Sequence, residues 1–264
     1  MMAINSWALV GYDIVADNIF NSRDGAYMRA SRLIRGTKDK STLPWMAFGV
    51  ADTSKDLRFG TPETPDKERR QQSEMYDHLT GSKVSDWVPE KLYKTINRTD
   101  IAVQMFSIHY FFQSKDKLEG LLLNVRNHLK RGGVFIGTYM DGDLVKKLIR
   151  QGRASYHTPD GTKVWEITKV GNWSTNKPFG NAINVYVDKI GTTNEEYLVD
   201  EATLQNYCEL YGLRVKESKT FSDLYEEMKV SGTTEQINLI SELEKHEPLM
   251  RFSKLNRMFI FQKK

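Results

Sequence analysis

Residues 100–140 read DIAVQMFSIHYFFQSKDKLEGLLLNVRNHLKRGGVFIGTYM, and this stretch decides the fold. Residues 100–112 are nearly all apolar, which is typical of a strand that is covered on both faces in a parallel sheet. The apolar run 134–140 predicts a second strand. Between the two strands, apolar residues recur at helical spacing and two glycines then end the predicted helix, whose sheet-facing positions are Leu118, Leu121, Leu122, Val125 and Leu129.

The same alternation of strand and helix continues towards both ends of the chain. Residues 8–14 predict a strand followed by a helix over 18–36, and residues 45–52 predict another strand. The charged stretch 61–72 reads as a solvated loop or a partly helical insertion. Residues 153–198 read as an antiparallel insertion, because a TPDGT turn separates extended segments there. Alternating strands and helices predict an α/β fold.

Composition excludes several classes of protein. In 264 residues, 39% are hydrophobic and 27% charged, and no apolar run approaches the roughly 20 residues of a membrane-spanning helix. One cysteine, Cys208, excludes an internal disulfide and predicts a reducing compartment. The five histidines lack metal-ligand spacing, so no metal is expected. The net charge of +4 suits a polyanionic partner without identifying one.

Two acids follow predicted strands, Asp13 after ALVGY and Asp52 after WMAFGVA. Ligands of open α/β sheets bind outside the carboxyl ends of the strands, where an acid can accept hydrogen bonds from ribose hydroxyls. The alternative is that each acid is a turn or N-cap residue.

A second feature is the pair His109-Tyr110 inside the aromatic run MFSIHYFF. Burying an imidazole and a phenol costs free energy unless each finds a partner, so their position indicates polar groups aimed into a cleft. A core histidine bonded to backbone is the alternative. Arg29 near a predicted helix end and one acid of the pair Glu195-Glu196 before YLVDEATLQNY are further candidates, although the arginine also suits a solvated helix face and the acid a helix cap.

Seven blocks, in order, resemble the mRNA cap guanine-N7 methyltransferase family, and within it the domain of capping enzymes from large cytoplasmic DNA viruses. The blocks are LVGYDIVADNIFNSRDGAYMR, VADTSKDL, MFSIHYFF, LKRGGVFIGTYMDGD, KPFGNAINVYV, EEYLV and TFSDLYEE. The resemblance covers residues 1–264 as one methyltransferase domain with a Rossmann-like sheet. It implies transfer of a methyl group from S-adenosyl-L-methionine (AdoMet) to N7 of the guanine cap, without a metal.

The resemblance also implies roles for individual residues. On the cofactor side, Asp13 resembles the acid that holds the AdoMet ribose. Asp52 resembles the acid that hydrogen-bonds the adenine amino group, and Thr53 follows it in the same loop. Tyr110 resembles the tyrosine near the methyl group. His109 and Glu196 resemble the residues that hydrogen-bond the cap guanine, and Arg29 a basic residue on the cap side. Phe106 and Phe179 are candidate walls of the base pocket.

The chain departs from the family pattern in three places. A glutamine usual four positions before the histidine corresponds to Met105, with Gln104 one place earlier, and both are cofactor-side candidates. Asn256 stands where the family often has a tyrosine in the cap pocket. The first strand and its glycine-rich turn have no counterpart, so we expect this chain to be the C-terminal part of a longer polypeptide.

The expected partner is the 5′ end of capped RNA, with guanylyltransferase and triphosphatase domains upstream on the same polypeptide, a possible activating subunit, and no membrane. The viral resemblance implies the host cytoplasm. Two other functions stay open from the residues alone: an AdoMet-dependent methyltransferase acting on another RNA or a small molecule, and a non-catalytic RNA-binding or stimulatory module.

Overall fold

The computed structural model describes residues 8–59, 66–80, 98–174 and 176–264. Contacts divide the chain into two compact units, Met1–Arg98 and Thr99–Lys264. Within the described ranges, no helix has both the length and the apolar character needed to cross a bilayer. The missing counterpart of the family's first strand and glycine-rich turn concerns the sequence before Ala8. Residues 1–7 lie outside the described ranges.

The described residues of the first unit form a parallel pair of strands and three α-helices. The pairing places Asp13 opposite Val50, so both strands end at the same edge. In chain order the elements are β1 (Ala8–Asp13), α1 (Ala16–Phe20), α2 (Ala26–Gly36), a 3₁₀ turn (Lys40–Thr42), β2 (Trp45–Val50) and α3 (Asp66–Thr80).

The prediction of one helix over residues 18–36 is wrong, because the chain turns between α1 and α2. The side-chain oxygen of Asn21 accepts hydrogen bonds from the backbone N–H groups of Arg23 and Asp24, at 2.8 and 3.1 Å. This local bonding competes with helix continuation. The charged stretch 61–72 is helical from Asp66 onward.

The second unit is built on a four-stranded mixed sheet. Its strand order is β3-β4-β10-β9, in which β3 and β4 are parallel and β10 is antiparallel to both of its neighbours. The elements are β3 (Thr99–Met105), a 3₁₀ helix (Ile108–Gln113), α4 (Lys115–His128), β4 (Leu129–Met140), β9 (Leu213–Thr220) and β10 (Asn256–Lys263).

The strand predicted over residues 100–112 is correct as far as Met105 and wrong beyond it, because a 3₁₀ helix follows. The helix between the strands is confirmed, and all five apolar positions that were predicted to face the sheet are buried. It ends at His128, and β4 begins before the two glycines. At Gly137 a side chain would lie 2.2 Å from the carbonyl oxygen of Gln104, so only glycine permits this approach of β3 and β4.

A four-stranded antiparallel sheet, with order β5-β6-β7-β8, lies within residues 153–198. One face is apolar and contributes Trp165, Ile167, Ile183 and Val185 to a second core cluster. The strands are β5 (Ser155–His157), β6 (Lys163–Lys169), β7 (Ala182–Val187) and β8 (Thr193–Tyr197), and helix α5 (Gly142–Arg150) precedes them.

Four further helices complete the second unit. They are α6 (Glu201–Leu210), α7 (Phe221–Ser231), α8 (Thr234–Glu244) and α9 (Glu247–Ser253). Parallel strand pairs connected through helices, with antiparallel additions, confirm the predicted α/β class.

Candidate active site

In the first unit, the two predicted acids lie at the same edge of the β1-β2 pair. Asp13 is the last residue of β1, and Asp52 follows β2 by two residues. Each carboxylate accepts a backbone hydrogen bond from the residue two positions on, at 2.8 Å for Val15 and 2.9 Å for Ser54. Both acids therefore shape turns, as the alternative interpretation holds, and both are only partly buried.

Two other predicted residues belong to this unit. Thr53 is partly buried in the turn after β2. Arg29 lies near the N-terminal end of α2, rather than near the C-terminal end of a helix, and its side chain is exposed. The two carboxylates can accept hydrogen bonds from the polar groups of a nucleoside, and the guanidinium can pair with a phosphate.

In the second unit, β3 ends in a sharp turn at Phe106. This residue has φ of +51°, in the left-handed region that non-glycine residues rarely adopt. Its N–H donates to the carbonyl and hydroxyl oxygens of Thr138, at 2.9 and 3.2 Å. Gln104 donates from its side chain to the Ser107 hydroxyl at 2.6 Å. Met105, beside them, is half-exposed.

The 3₁₀ helix after this turn carries His109 and Tyr110 in different environments. His109 is buried, with 5% of its surface exposed, whereas Tyr110 is 50% exposed. Their rings are close, with centroids 4.1 Å apart. The Nε2 atom of His109 is buried and has no hydrogen-bond partner among the described residues. A buried polar atom without a partner costs free energy, which a bound ligand or water that supplies a hydrogen bond would offset.

Glu196 reaches His109 from strand β8. Its Oε2 atom lies 3.6 Å from Nδ1 of His109, and the side chains are 15% and 7% exposed. Glu196 is opposite Ile183 in the β7-β8 pairing, so its carboxyl group shares the apolar face of the antiparallel sheet.

A hydrogen-bonded tether holds the 3₁₀ helix against β8. Gln113, the last residue of that helix, donates to the Tyr197 hydroxyl at 2.8 Å. That hydroxyl in turn donates to Glu195 at 2.7 Å. Because side chains alternate along a strand, this tether occupies the face of β8 opposite to Glu196. The tether therefore helps to keep Glu196 and His109 together.

Burial changes the protonation of both groups. Desolvation lowers the pKa of His109 to about 4 and raises the pKa of Glu196 to about 7. At neutral pH the imidazole is therefore neutral and the carboxyl group is about half ionised, so this close contact is not an ion pair. Perturbed pKa values in a small cluster are typical of functional sites.

Two predicted pocket residues have structural contacts. Phe179 packs against Phe112 and Tyr207, with ring centroids 5.5 and 5.7 Å apart. These contacts lie at the edge of the first core cluster, whose buried members include Phe112, Leu118, Leu122 and Cys208. Asn256 is buried, and its side-chain amide donates to the carbonyl oxygens of Phe252 and Ser253 at the end of α9.

Sequence reasoning missed Thr138 and Phe221, which contact Phe106 from β4 and α7. No local signal marks either residue, because each is more than 30 positions from Phe106 in sequence. Within the described residues, no group of three or more His, Cys, Asp or Glu side chains is arranged to hold a metal ion.

The family model and the curated relatives indicate the same family. The model of the mRNA (guanine-N(7))-methyltransferase domain matches residues 51–254. The chain is 32% identical to the mRNA cap guanine-N(7) methyltransferase of Candida albicans over 134 residues, which are 48% of this chain and 28% of that protein. It is 31% identical to the enzyme of the same name from Schizosaccharomyces pombe over 176 residues, or 63% of this chain and 47% of that one.

The chain thus spans less than half the length of these curated relatives. A solved SAM-dependent methyltransferase from Methanosarcina mazei is 13% identical, with a TM-score of 0.45 over 97% of this chain and 82% of that one. That likeness is too distant to bear on the site. Since the family model matches most of the sequence, including the segment that carries His109, Tyr110 and Glu196, this chain belongs to the mRNA (guanine-N(7))-methyltransferase family.

Proposed function

We propose that this protein transfers a methyl group from AdoMet to N7 of the guanine cap of mRNA, converting GpppN ends to m7GpppN. The observation that carries the proposal is the buried pair of His109 and Glu196 beside the half-exposed ring of Tyr110. Membership of the family supports the reaction type.

The site has the groups needed to hold a guanine. An ionised Glu196 can accept hydrogen bonds from the N–H groups on the Watson-Crick edge, as the resemblance implies. The neutral His109 offers one ring nitrogen that has no other partner among the described residues. These bonds are strong in a poorly solvated environment, so they fix the plane of the base.

The first unit has groups that fit AdoMet. Asp13 and Asp52 lie at one edge of a parallel strand pair, and carboxylate oxygens match ribose hydroxyls and an adenine amino group as acceptors. When bound, AdoMet supplies an activated methyl group on a sulfonium. We assign Arg29 to the cap side and Thr53, Gln104 and Met105 to the cofactor side as part of the same proposal.

The reaction requires alignment more than acid–base chemistry. The N7 lone pair forms the new N–C bond while the methyl C–S bond breaks, and its electrons remain on sulfur. No proton moves. Orienting two reactants can lower a barrier by about 7–11 kcal/mol. Methylation leaves positive charge on the guanine, which an ionised Glu196 stabilises electrostatically.

The proposal extends to the partners. Capped RNA is the substrate, and guanylyltransferase and triphosphatase activities produce the GpppN end that this reaction consumes. We propose that domains with these activities accompany this one, and that an activating subunit assists it. Copurification of guanylyl transfer with the intact protein supports the first part, and its absence contradicts it.

The direct test is transfer of radiolabelled methyl groups to GpppN-capped RNA, with uncapped RNA and free nucleotides as alternative acceptors. Glu196→Ala and Tyr110→Ala are each expected to lower transfer at least about tenfold. Glu166→Ala is the matched control, because Glu166 lies opposite Tyr186 on the other face of the antiparallel sheet. Unchanged transfer in both site variants, or equal transfer to uncapped acceptors, contradicts the proposal.

A further inference from the structure

Phe106 is the residue at which β3 changes direction into the 3₁₀ helix that carries His109 and Tyr110. Its φ of +51° is unfavourable for a phenylalanine, and its side chain is 52% exposed. A strained residue of this kind persists only when its surroundings hold it in place. The direction in which His109 and Tyr110 leave the sheet therefore depends on the contacts that hold Phe106.

The backbone and the ring of Phe106 have separate supports. Thr138 accepts two hydrogen bonds from the Phe106 N–H, from β4. The ring meets that of Phe221 edge to face, with centroids 6.2 Å apart and planes at 76°. Such T-shaped contacts are favourable and depend on geometry. Thr138 thus holds the backbone of Phe106, and Phe221 contacts its ring.

Phe221 is itself fixed in position. It is the first residue of α7, directly after Thr220, and Thr220 and Asp223 form a capping box there. Its ring packs edge-on against Tyr225, at 6.1 Å and 65°. The Tyr225 hydroxyl is hydrogen-bonded to the Ser253 hydroxyl at the end of α9, at 2.5 Å. A continuous set of contacts thus runs from α9 through α7 to the turn.

We propose that Phe221 is a positioning residue: its ring holds Phe106 in the left-handed conformation, and Phe106 thereby directs His109 and Tyr110 towards the substrate. The consequence for catalysis rests on the proposed function. The effect on the turn does not, since it follows from contacts within Thr99–Lys264 alone. The competing explanation is that the two rings simply form an apolar patch that contributes to general stability.

Hydrogen–deuterium exchange of the intact protein tests the effect on the turn. In Phe221→Ala, peptides covering residues 104–113 are expected to exchange at least about threefold faster, while peptides from β6 and β7 do not change. Phe221→Tyr keeps the ring edge and restores slow exchange. Tyr186→Ala, which removes a ring from the outer face of the antiparallel sheet, leaves residues 104–113 unchanged.

Unchanged exchange at residues 104–113 in Phe221→Ala overturns the proposal. Faster exchange throughout Thr99–Lys264 also overturns it, because it indicates a general structural role. Phe221→Leu keeps most of the apolar volume without the aromatic ring, and it decides the question if the alanine variant does not fold. It is expected to accelerate exchange at residues 104–113, and slow exchange in this variant contradicts the role of the ring.

Methyl-transfer kinetics test the consequence for catalysis. Phe221→Ala is expected to lower kcat/KM for capped RNA about tenfold and to change KM for AdoMet less than about twofold. In a Phe106→Gly background, where ring and strain are both absent, Phe221→Ala is expected to have no further effect. Additive losses overturn the proposal. Wild-type protein without cap methylation contradicts the proposed function, whereas the exchange result still decides the role of Phe221.

Discussion

Glu196 and His109 show how burial alone changes the chemistry of two common side chains. Neither has a charged partner that offsets its desolvation, so the pKa of the acid rises and that of the imidazole falls. The neutral forms are favoured in both cases. This desolvation destabilises the folded protein, and hydrogen bonds from a bound ligand would offset it.

The raised pKa of Glu196 predicts a pH-dependent effect of Glu196→Gln on stability. The pKa is about 7 in the folded state, against 4.5 for a glutamate in water. Ionisation of Glu196 therefore destabilises the folded state. This destabilisation is absent below pH 4.5 and increases as the pH rises from 4.5 through 7. We expect Glu196→Gln to be stabilising by up to about 3 kcal/mol at pH 8 and neutral near pH 4.

Urea unfolding of the variant and the wild type across this pH range measures the difference. Glu235→Gln, at an exposed carboxylate of α8, controls for the loss of one negative charge. A Glu196→Gln effect that does not vary with pH would contradict the desolvation of Glu196.

The same pKa predicts the pH dependence of catalysis. If the ionised carboxylate binds the cap guanine, kcat/KM for capped RNA should rise about tenfold between pH 6 and pH 8, with an apparent pKa of about 7. His109 stays neutral over this range, since burial lowers its pKa to about 4. Methyl-transfer rates at limiting capped RNA measure the profile, and Glu196→Gln should abolish this rise. A rise that persists in the variant assigns the titration to another group.

At the residue scale, the sequence identified His109 and Tyr110 because two polar rings interrupt an apolar run. Glu196 could be selected only through the family resemblance, since Glu195 and Glu196 are equivalent until the strand pairing places one on each face. The helix-end contacts of Asn256 could not be predicted, because its side chain bonds to carbonyl oxygens whose positions depend on the tertiary fold.

At the element scale, Asp141 connects several parts of the second unit. Its side chain caps α5 through the N–H groups of Asp143 and Leu144, at 2.9 and 3.1 Å. Arg257 at the start of β10 donates to its other oxygen at 2.8 Å and pairs with Glu201 in α6 at 3.1 Å. Asp141 and Arg257 are 7% and 17% exposed, so this ion pair is largely desolvated.

Asp141→Ala is therefore expected to lower the free energy of unfolding by about 3 kcal/mol, since it removes a helix cap and leaves a buried guanidinium with one partner fewer. Asp200→Ala is the matched control. Asp200 caps α6 through the N–H of Thr203 and lacks an arginine contact of this kind, so we expect a loss of about 1 kcal/mol.

Urea unfolding of both variants, of Arg257→Met and of Asp141→Ala/Arg257→Met checks this prediction. The double variant no longer contains a buried guanidinium that lacks its carboxylate. Its loss of unfolding free energy should therefore be smaller than the sum of the losses in Asp141→Ala and Arg257→Met. Equal losses for Asp141→Ala and Asp200→Ala would show that the ion pair contributes nothing measurable.

Periodicity predicted most elements correctly and failed where side chains redirect the backbone. The helix α4 follows from apolar spacing alone. The strand predicted to reach residue 112 stops at Met105, because the Thr138 contacts stabilise a backbone conformation that apolar patterning cannot indicate. The helix predicted over 18–36 is interrupted because Asn21 bonds to the backbone that follows it.

At the scale of the whole molecule, the predicted site residues are divided between the two compact units. The acids assigned to AdoMet lie in Met1–Arg98, and the groups assigned to the guanine lie in Thr99–Lys264. The alternation of strands and helices predicted the α/β class, while division into two units was not foreseen from the sequence. The viral origin and the cytoplasmic compartment stay predictions.

Cys208 offers a probe of the second unit as a whole. It is the one cysteine of the sequence, and its side chain is fully buried in the first core cluster. Burial also raises the pKa of its thiol, so the reactive thiolate is scarce in the folded state. Alkylation by iodoacetamide should therefore be slow and should proceed through unfolded molecules.

A ligand that binds only the folded protein should slow this alkylation. If GpppG binds at His109 and Glu196, labelling at 100 times its dissociation constant is expected to be about a hundredfold slower, since unfolding then costs about 2.7 kcal/mol more. Mass spectrometry of quenched samples measures the rate, Cys208→Ser confirms the labelled position, and ApppA controls for binding of a dinucleotide without guanine. If GpppG binds and labelling does not slow, Cys208 reacts through a local opening that leaves the guanine site intact. If ApppA protects equally well, the site does not recognise the guanine base, and the assignment of Glu196 to its Watson-Crick edge is wrong.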